Sequence, residues 1–348
     1  MWLPVPGHAA PPVHRISIRP FPVSHAPIVT LRLGILGTFV WDRIWTLEDQ
    51  AAGRPFESWG GLAYSLAAAA AARPDGWEIV AVARVGADLV DEARAFAAAL
   101  TGVDAESALV AAPEPNNRVE LRYTDDARRG ERLTGGVEAW TWDELAPRVA
   151  GLDALYVNYF SGFEIGLEAT ERLRAEFAGP LYADLHSLFL GCPGAGTRVM
   201  RHLPDWERWA ASFDAVQLND DELRMLAPAA ASRDDAAATL MGAGPRVVAV
   251  THGADGATIL RAADIPADPR RWPEKRAVVG GPSAASRYPS RPCAGDPTGC
   301  GDVWGATFFT SLAGGLGWDE ATGAAHAAAV RKMGVRGASG LYEHLTGS

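Results

Sequence analysis

The sequence predicts an α/β protein: a mostly parallel central sheet with helices on both faces and a small β-structure set against it. Three observations carry this. Four short apolar runs, Ala154–Val157, Leu181–Asp184, Ala215–Leu218 and Val247–Thr251, are separated by helix-like patterns. Strands that alternate with helices in this way form a parallel sheet covered on both sides. Arg118–Tyr123 and Arg132–Thr134 flank the polar stretch Asp125–Gly130 and read as a hairpin. The length of 348 residues, 48% of them hydrophobic, suits two domains or one large α/β domain with an accessory.

The first 30 residues stand apart. They hold seven of the 24 prolines, three of the eight histidines and no acidic residue. Residues 1–28 are therefore expected to be a disordered tail. No charged start leads into a hydrophobic block, which argues against a secretory signal. The acid-poor, arginine-containing start suits a transit peptide, yet its prolines fit the amphipathic helix of one poorly. Val29–Leu36 is apolar and ends at Gly37, a strand entering a loop. After a mixed polar and aromatic stretch, Gly60-Gly61 opens an alanine-rich helix that runs to about Arg73 and is stopped by Pro74-Asp75-Gly76. Glu78–Val85 reads as a strand and Leu89–Leu100 as a helix. The Gly-, Pro- and Arg-rich segment from Ala262 to Cys293 is expected to be a loop before a final helical block.

Composition excludes several functions. The net charge of −10 opposes a nucleic-acid surface, which needs dense basic residues along the phosphates. Only Lys275 and Lys332 among the 32 basic residues are lysines. Neither sits in the G-x-x-x-x-G-K-[ST] of a P-loop, and no lysine is available for the third strand of a protein kinase. No G-x-G-x-x-G follows the first strand, which reads Gly34-Ile-Leu-Gly37, so a nicotinamide-dependent oxidoreductase is excluded. Cys192, Cys293 and Cys300 form no C-x-x-C or zinc spacing, and the odd count points to reduced thiols and a cytoplasmic protein. No apolar run is long enough to span a membrane.

The most informative segment is Gly295-Asp296-Pro297-Thr298-Gly299-Cys300-Gly301-Asp302, which leads into the apolar helix beginning at Val303. Glycines at 299 and 301 let the backbone approach a ligand, and amides at the start of a helix bind anions without a lysine. A carboxylate at that place repels phosphate. It has a purpose if it takes the proton of a hydroxyl that attacks the phosphate.

This segment resembles the D-T-T-G-A-G-D signature of the PfkB/ribokinase-like carbohydrate kinase family, with Pro297 and Cys300 as departures. The resemblance implies a ribokinase-like fold from about Leu31 to the C-terminus, with a small β-lid formed by about 39–58 and 117–134. It implies that Asp302 is the catalytic base and that the backbone of Gly299, Cys300 and Gly301 forms an anion hole. Gln217-Leu218-Asn219-Asp220-Asp221-Glu222 resembles the family's N-x-x-E, in which Asn219 and Glu222 would organise Mg²⁺, partly through water. An acidic first turn also suits a helix dipole without any metal. Thr251-His252-Gly253-Ala254-Asp255-Gly256 resembles the T-x-G-x-x-G that packs on the nucleotide, and His326 corresponds to a histidine beside the nucleotide base. On the acceptor side, Asp42, Gly60, Gly61, Asp184 and His186 fall at substrate-binding positions. Ser65 stands where the family's G-G-x-x-x-N has Asn, and His186-Ser187 depart from D-x-N-x-R. Trp41, Trp45 and Phe56 read equally as lid packing or as stacking platforms. A monovalent-cation site, K⁺ in the family, would use Asp296 and Thr298.

The expected function is an ATP- and Mg²⁺-dependent kinase that phosphorylates a hydroxyl of a small sugar or polyol. A nucleoside kinase of the same fold fits the same motifs, and the sequence does not separate the two. A catalytically retired sugar- or nucleotide-binding member is the third reading, opposed by the retention of Asp302, Gly299 and Gly301. A homodimer through the β-lid is expected, and charge and apolar run length leave neither nucleic acid nor membrane as an expected partner.

Overall fold

The alternation of apolar and helical stretches produces a sheet in which successive residues face opposite helical layers. In the computed structural model, which describes residues 30–124, 129–276 and 283–347, the chain begins with β1 (Leu31–Leu36), β2 (Phe39–Trp45), α1 (Leu47–Ala52) and β3 (Phe56–Gly61). The tail expected over 1–28 and most of the polar turn at 125–130 lie outside the described residues. Next come α2 (Leu62–Ala71), β4 (Trp77–Gly86), α3 (Val90–Ala99), β5 (Val103–Asp104), β6 (Leu109–Ala112), β7 (Arg118–Tyr123) and β8 (Arg129–Thr134). The α/β alternation follows with α4 (Trp142–Val149), β9 (Ala154–Asn158), α5 (Leu167–Glu176) and β10 (Leu181–Asp184). A hairpin, β11 (Leu190–Gly194) and β12 (Thr197–Met200), precedes α6 (Trp206–Ala211), β13 (Ala215–Asn219), α7 (Asp220–Leu226), α8 (Arg233–Gly242) and β14 (Val247–Thr251). The chain ends with β15 (Ala257–Ala262), β16 (Ser283–Tyr288), α9 (Cys300–Ala313), α10 (Trp318–Lys332) and α11 (Leu341–Thr346).

The large sheet has the order β16-β15-β14-β13-β10-β9-β1-β4-β5, with β6 also paired to β4. It is parallel from β14 to β6, and the β14–β15 and β15–β16 pairs are antiparallel. The period of two is visible in the core. Leu33, Ile35, Ile79 and Ala81 enter the layer with α2, α9 and α10, whereas Leu36, Val80 and Val82 enter the layer with α4 to α8. Helix α2 is alanine-rich, so it has little side-chain bulk between its axis and α9, and Leu62–Ala70 are buried.

The small sheet has the order β11-β12-β8-β7-β2-β3. The β2–β7 pair is parallel and the others are antiparallel. One face is apolar, with Val40, Ile44, Val119, Leu121 and Leu133 packed together. Two expectations need correction. The segment Ala262–Cys293 is not all loop, because β16 lies within it and completes an antiparallel edge. The small sheet is also wider than 39–58 and 117–134: β11 and β12, over 190–200, extend it by pairing β12 to β8. No described helix is long and apolar enough to cross a membrane.

Candidate active site

Parallel strands direct their carboxyl ends to one edge, where loops build ligand sites. Here those ends carry Asn158 (β9), Asp184 (β10), Gln217 and Asn219 (β13) and Thr251 (β14). The N-terminus of α9 meets them.

Gly299, at φ +82°, precedes the first turn of α9. A Cβ at this position would overlap the Tyr64 ring, so conformation and space both require glycine. The turn is pinned by Cys300 N donating to the Pro297 carbonyl at 3.1 Å and Val303 N to that of Gly299 at 3.0 Å. The Cys300 amide, expected in the anion hole, thus bonds within the turn. The Cys300 thiol is turned to the Asp296 and Ala329 carbonyls, and burial pushes it up to about 11. The first-turn amide of Gly301 has no carbonyl four residues back within the helix, and the Asp302 amide bonds to its own carboxylate.

Asp302 is buried, and its Oδ1 accepts a 2.6 Å bond from Asn158 Nδ2. The same amide donates to Ser65 Oγ at 2.8 Å. Asp184 accepts from the Gln217 amide at 2.8 Å and contacts His186 Nδ1 at 3.1 Å, and Gln217 also donates to the Gly301 carbonyl at 3.0 Å. One polar atom from each of Asp184, His186 and Asp302 lies within 4.8 Å of the others. Burial opposes charge on His186, but Asp184 first, then Asp302 and Glu222, outweigh it and raise the imidazole to about 10. A ring raised this far favours the imidazolium form, which donates at both nitrogens. Burial raises the Asp302 carboxyl, and Asp184 adds to this while His186 and Asn158 pull it back. Burial likewise raises Glu222 to about 7, with His186 opposing and Asp184 reinforcing.

These groups line a cleft of about 510 Å³ whose other wall is the small sheet, through Val119, Leu121, Tyr123 and Glu131. Asn219 and Glu222 also line it. They form a capping box at the start of α7: Asn219 Oδ1 accepts from the Asp221 and Glu222 amides, and the Glu222 carboxylate accepts from Asn219 N and Nδ2 at 2.7 and 2.6 Å. A second cavity of about 280 Å³ holds Gly253, Gly256, Trp304 and His326. Thr251, Pro297 and Gly301 line both spaces. Burial keeps His326 below its ordinary value.

The remaining acceptor-side residues lie deeper than expected. Asp42 is buried on β2, in register with Ser58 and Val119. It shares the face of Val119 and Leu121, and its carboxylate sits over Gly60, where a Cβ would overlap it. Gly61 has φ +59°, and a Cβ there would run into the Thr38 carbonyl. Asp42, Gly60 and Gly61 are brought together, but none of them lines the cleft. Phe160, which does, packs on this face and meets the His186 ring edge-on at 5.7 Å. Ser65, expected at a substrate-binding position, is fully buried behind Asn158 and orients that amide. Of the expected cation residues, Asp296 Oδ1 accepts from Thr298 N at 3.0 Å, and the Lys332 ammonium lies 3.2 Å from Asp296 Oδ2.

Sequence reasoning missed Asn158, Gln217, Phe160 and Lys332. Asn158 and Gln217 carried one usable signal, a polar residue in or at the end of an otherwise apolar buried strand. Phe160 carried none, and Lys332 only its rarity, as one of two lysines among 32 basic residues.

The architecture is a ribokinase-like α/β fold. A pyrophosphate-dependent kinase in the ribokinase family has it at a TM-score of 0.65 and 18% identity, over 90% of this chain and 99% of that one. Ribokinase from Arabidopsis thaliana, solved with ribose and ATP, aligns at 0.62 and 18%, covering 92% and 100%. A Burkholderia thailandensis nucleoside kinase, solved with inosine, aligns at 0.58 and 17%, covering 88% and 92%. No curated protein matches the sequence. Residues 198–344 match the model of the pfkB family carbohydrate kinases. That segment carries the Gly295–Asp302 motif, and the rest of the described chain completes the ribokinase-like fold.

Proposed function

We propose that the protein is an ATP-dependent kinase that phosphorylates a hydroxyl of a small sugar or polyol. The observation that carries this reading is Asp302: a buried carboxylate on the first turn of α9, beside the Gly301 amide and open to the cleft. Burial makes its carboxylate a stronger base than an ordinary aspartate, which suits a group that accepts a proton. In the proposed step the acceptor oxygen attacks the γ-phosphorus, its proton passes to Asp302, and the bond from phosphorus to the ADP oxygen breaks. The amide of Gly301 and the His186 imidazolium offset charge on the transferring group. The small sheet excludes water, which would otherwise compete as acceptor.

The donor set suits Mg²⁺. Asp302 and Glu222 are both held above ordinary carboxylate values by burial and by Asp184, a concentration of oxygen charge that a hard cation relieves. Glu222 and Asn219 would hold it, partly through water, and it would screen the donor phosphates. The second cavity favours a nucleotide over pyrophosphate as donor. Pyrophosphate has no use for an apolar space beyond the anion turn, whereas a base would fill the one beside Trp304 and His326.

The test is Asp302→Asn, assayed for ADP release over a panel of sugars, polyols and nucleosides, with pyrophosphate as an alternative donor. Turnover is expected to fall by about 10²–10⁴, with donor affinity held or improved because a charge that repels phosphate is gone. Activity within about threefold of the parent would leave Asp302 a helix-start acid and sink the mechanism.

A further inference from the structure

Lys332 closes α10, and its side chain is fully buried. The ammonium donates to the Asp296 main-chain carbonyl at 3.1 Å and to Asp296 Oδ2 at 3.2 Å, and it lies 5.3 Å from the centroid of the Tyr64 ring. A carbonyl oxygen, a carboxylate oxygen and an aromatic face around one compact positive charge are what a monovalent cation would find at this loop. Composition points the same way. Thirty of the 32 basic residues are arginine, yet position 332 holds lysine, whose head is a compact point charge where a guanidinium is a broad plane.

The loop held by Lys332 is the one that ends in the anion turn. Asp296 N donates to the Met333 carbonyl at 3.0 Å, directly after Lys332, while Asp296 Oδ1 accepts from Thr298 N. The Tyr64 ring under the ammonium also packs against Gly299. Lys332, Asp296, Tyr64 and Gly299 thus form one continuous support beneath Gly301 and Asp302.

We propose that the Lys332 ammonium is the permanent cation of this loop, and that the protein therefore needs no potassium ion. Asp296 and Thr298, the residues the sequence offered to K⁺, do not fit that ion here, because the Asp296 oxygens are already engaged by Lys332 and Thr298. Lys332 is a positioning residue: it touches the loop, not the substrates. The inference rests on the kinase reading for its consequence in turnover, but not for the cation site itself.

Two measurements test it. Turnover of the full chain at constant ionic strength should agree within about twofold between potassium, sodium and tetramethylammonium chloride, since screening is then equal. A strong requirement for potassium in the parent overturns the proposal. Lys332→Ala should lose turnover in tetramethylammonium by on the order of 10²-fold, the cost of a misplacement of about 1 Å at a reacting centre. Potassium or ammonium, but not lithium, should restore it, and the melting temperature of the variant should rise with the same ions. A folded variant that neither regains turnover nor gains melting temperature overturns the proposal. Lys332→Met keeps the packing of the stem and takes the same test if alanine does not fold. The melting titration needs no catalysis, so a parent inactive on every acceptor counts against the kinase reading while the titration still decides the role of Lys332.

Discussion

The Asn158 side-chain amide donates to Asp302 Oδ1 at 2.6 Å, joining the end of β9 to the first turn of α9. A hydrogen bond to the ionised form of a carboxyl favours ionisation. Asn158 thereby offsets part of what burial and Asp184 impose on Asp302.

Asn158→Leu keeps the shape and removes the donor. The acidic limb of the kcat/KM–pH profile should move up by about 1–2 units, equivalent to a charge-assisted bond of about 1.5–3 kcal/mol. A limb that stays in place would mean that Asn158 does not act on the ionisation that governs turnover.

His186 contributes to stability with a definite sign. Its folded value of about 10 lies above its ordinary 6.5, so folding favours the protonated ring. That contribution is complete below pH 6.5 and fades as the pH rises towards 10. His186→Gln should therefore lower the melting temperature most below pH 6.5, with the gap to the parent closing by about pH 10. A gap independent of pH would rule out the imidazolium.

Glu222→Gln keeps the backbone half of the capping box, because the amide oxygen still accepts from Asn219 N, and loses the bond from Asn219 Nδ2. The Mg²⁺ concentration for half-maximal turnover should rise by about 10-fold or more, as when a group that organises a metal is neutralised. Acceptor KM should not change. An unaltered Mg²⁺ titration would reduce Glu222 to a capping residue.

Gly299→Ala places a Cβ against Tyr64 at φ +82°. Strain of roughly 1–2 kcal/mol is expected from the backbone alone, visible in thermal melts. Turnover should fall by about 10²-fold if the turn shifts by about 1 Å. Parental turnover would show that the turn tolerates displacement.

The parts of the site that are local in sequence were legible from it. Gly295–Asp302 contains turn, helix start and carboxylate within eight consecutive residues, and turn chemistry alone places them. Long-range partnerships were not. Asn158 reaches Asp302 across 144 residues, Gln217 reaches Gly301 across 84, and Lys332 reaches Asp296 across 36. Ser65 shows the same limit from the other side: a motif position named it, but only packing shows that it faces Asn158. In the fold, the buried parallel strands announced themselves by apolar runs. Strands β11 (Leu-Gly-Cys-Pro-Gly) and β16 (Ser-Ala-Ala-Ser-Arg-Tyr) did not. Both are edge strands with little apolar surface to bury, and their pairing is dictated by the neighbours they join.

Thr251, Pro297 and Gly301 form walls of both the cleft and the second cavity. On the proposed reading, donor and acceptor stand on either side of one narrow partition, so neither has to leave before the other arrives. Direct transfer across such a partition turns the phosphorus centre inside out once. A donor made chiral with oxygen isotopes should therefore yield a product of inverted configuration, with no phosphorylated protein to be trapped along the way.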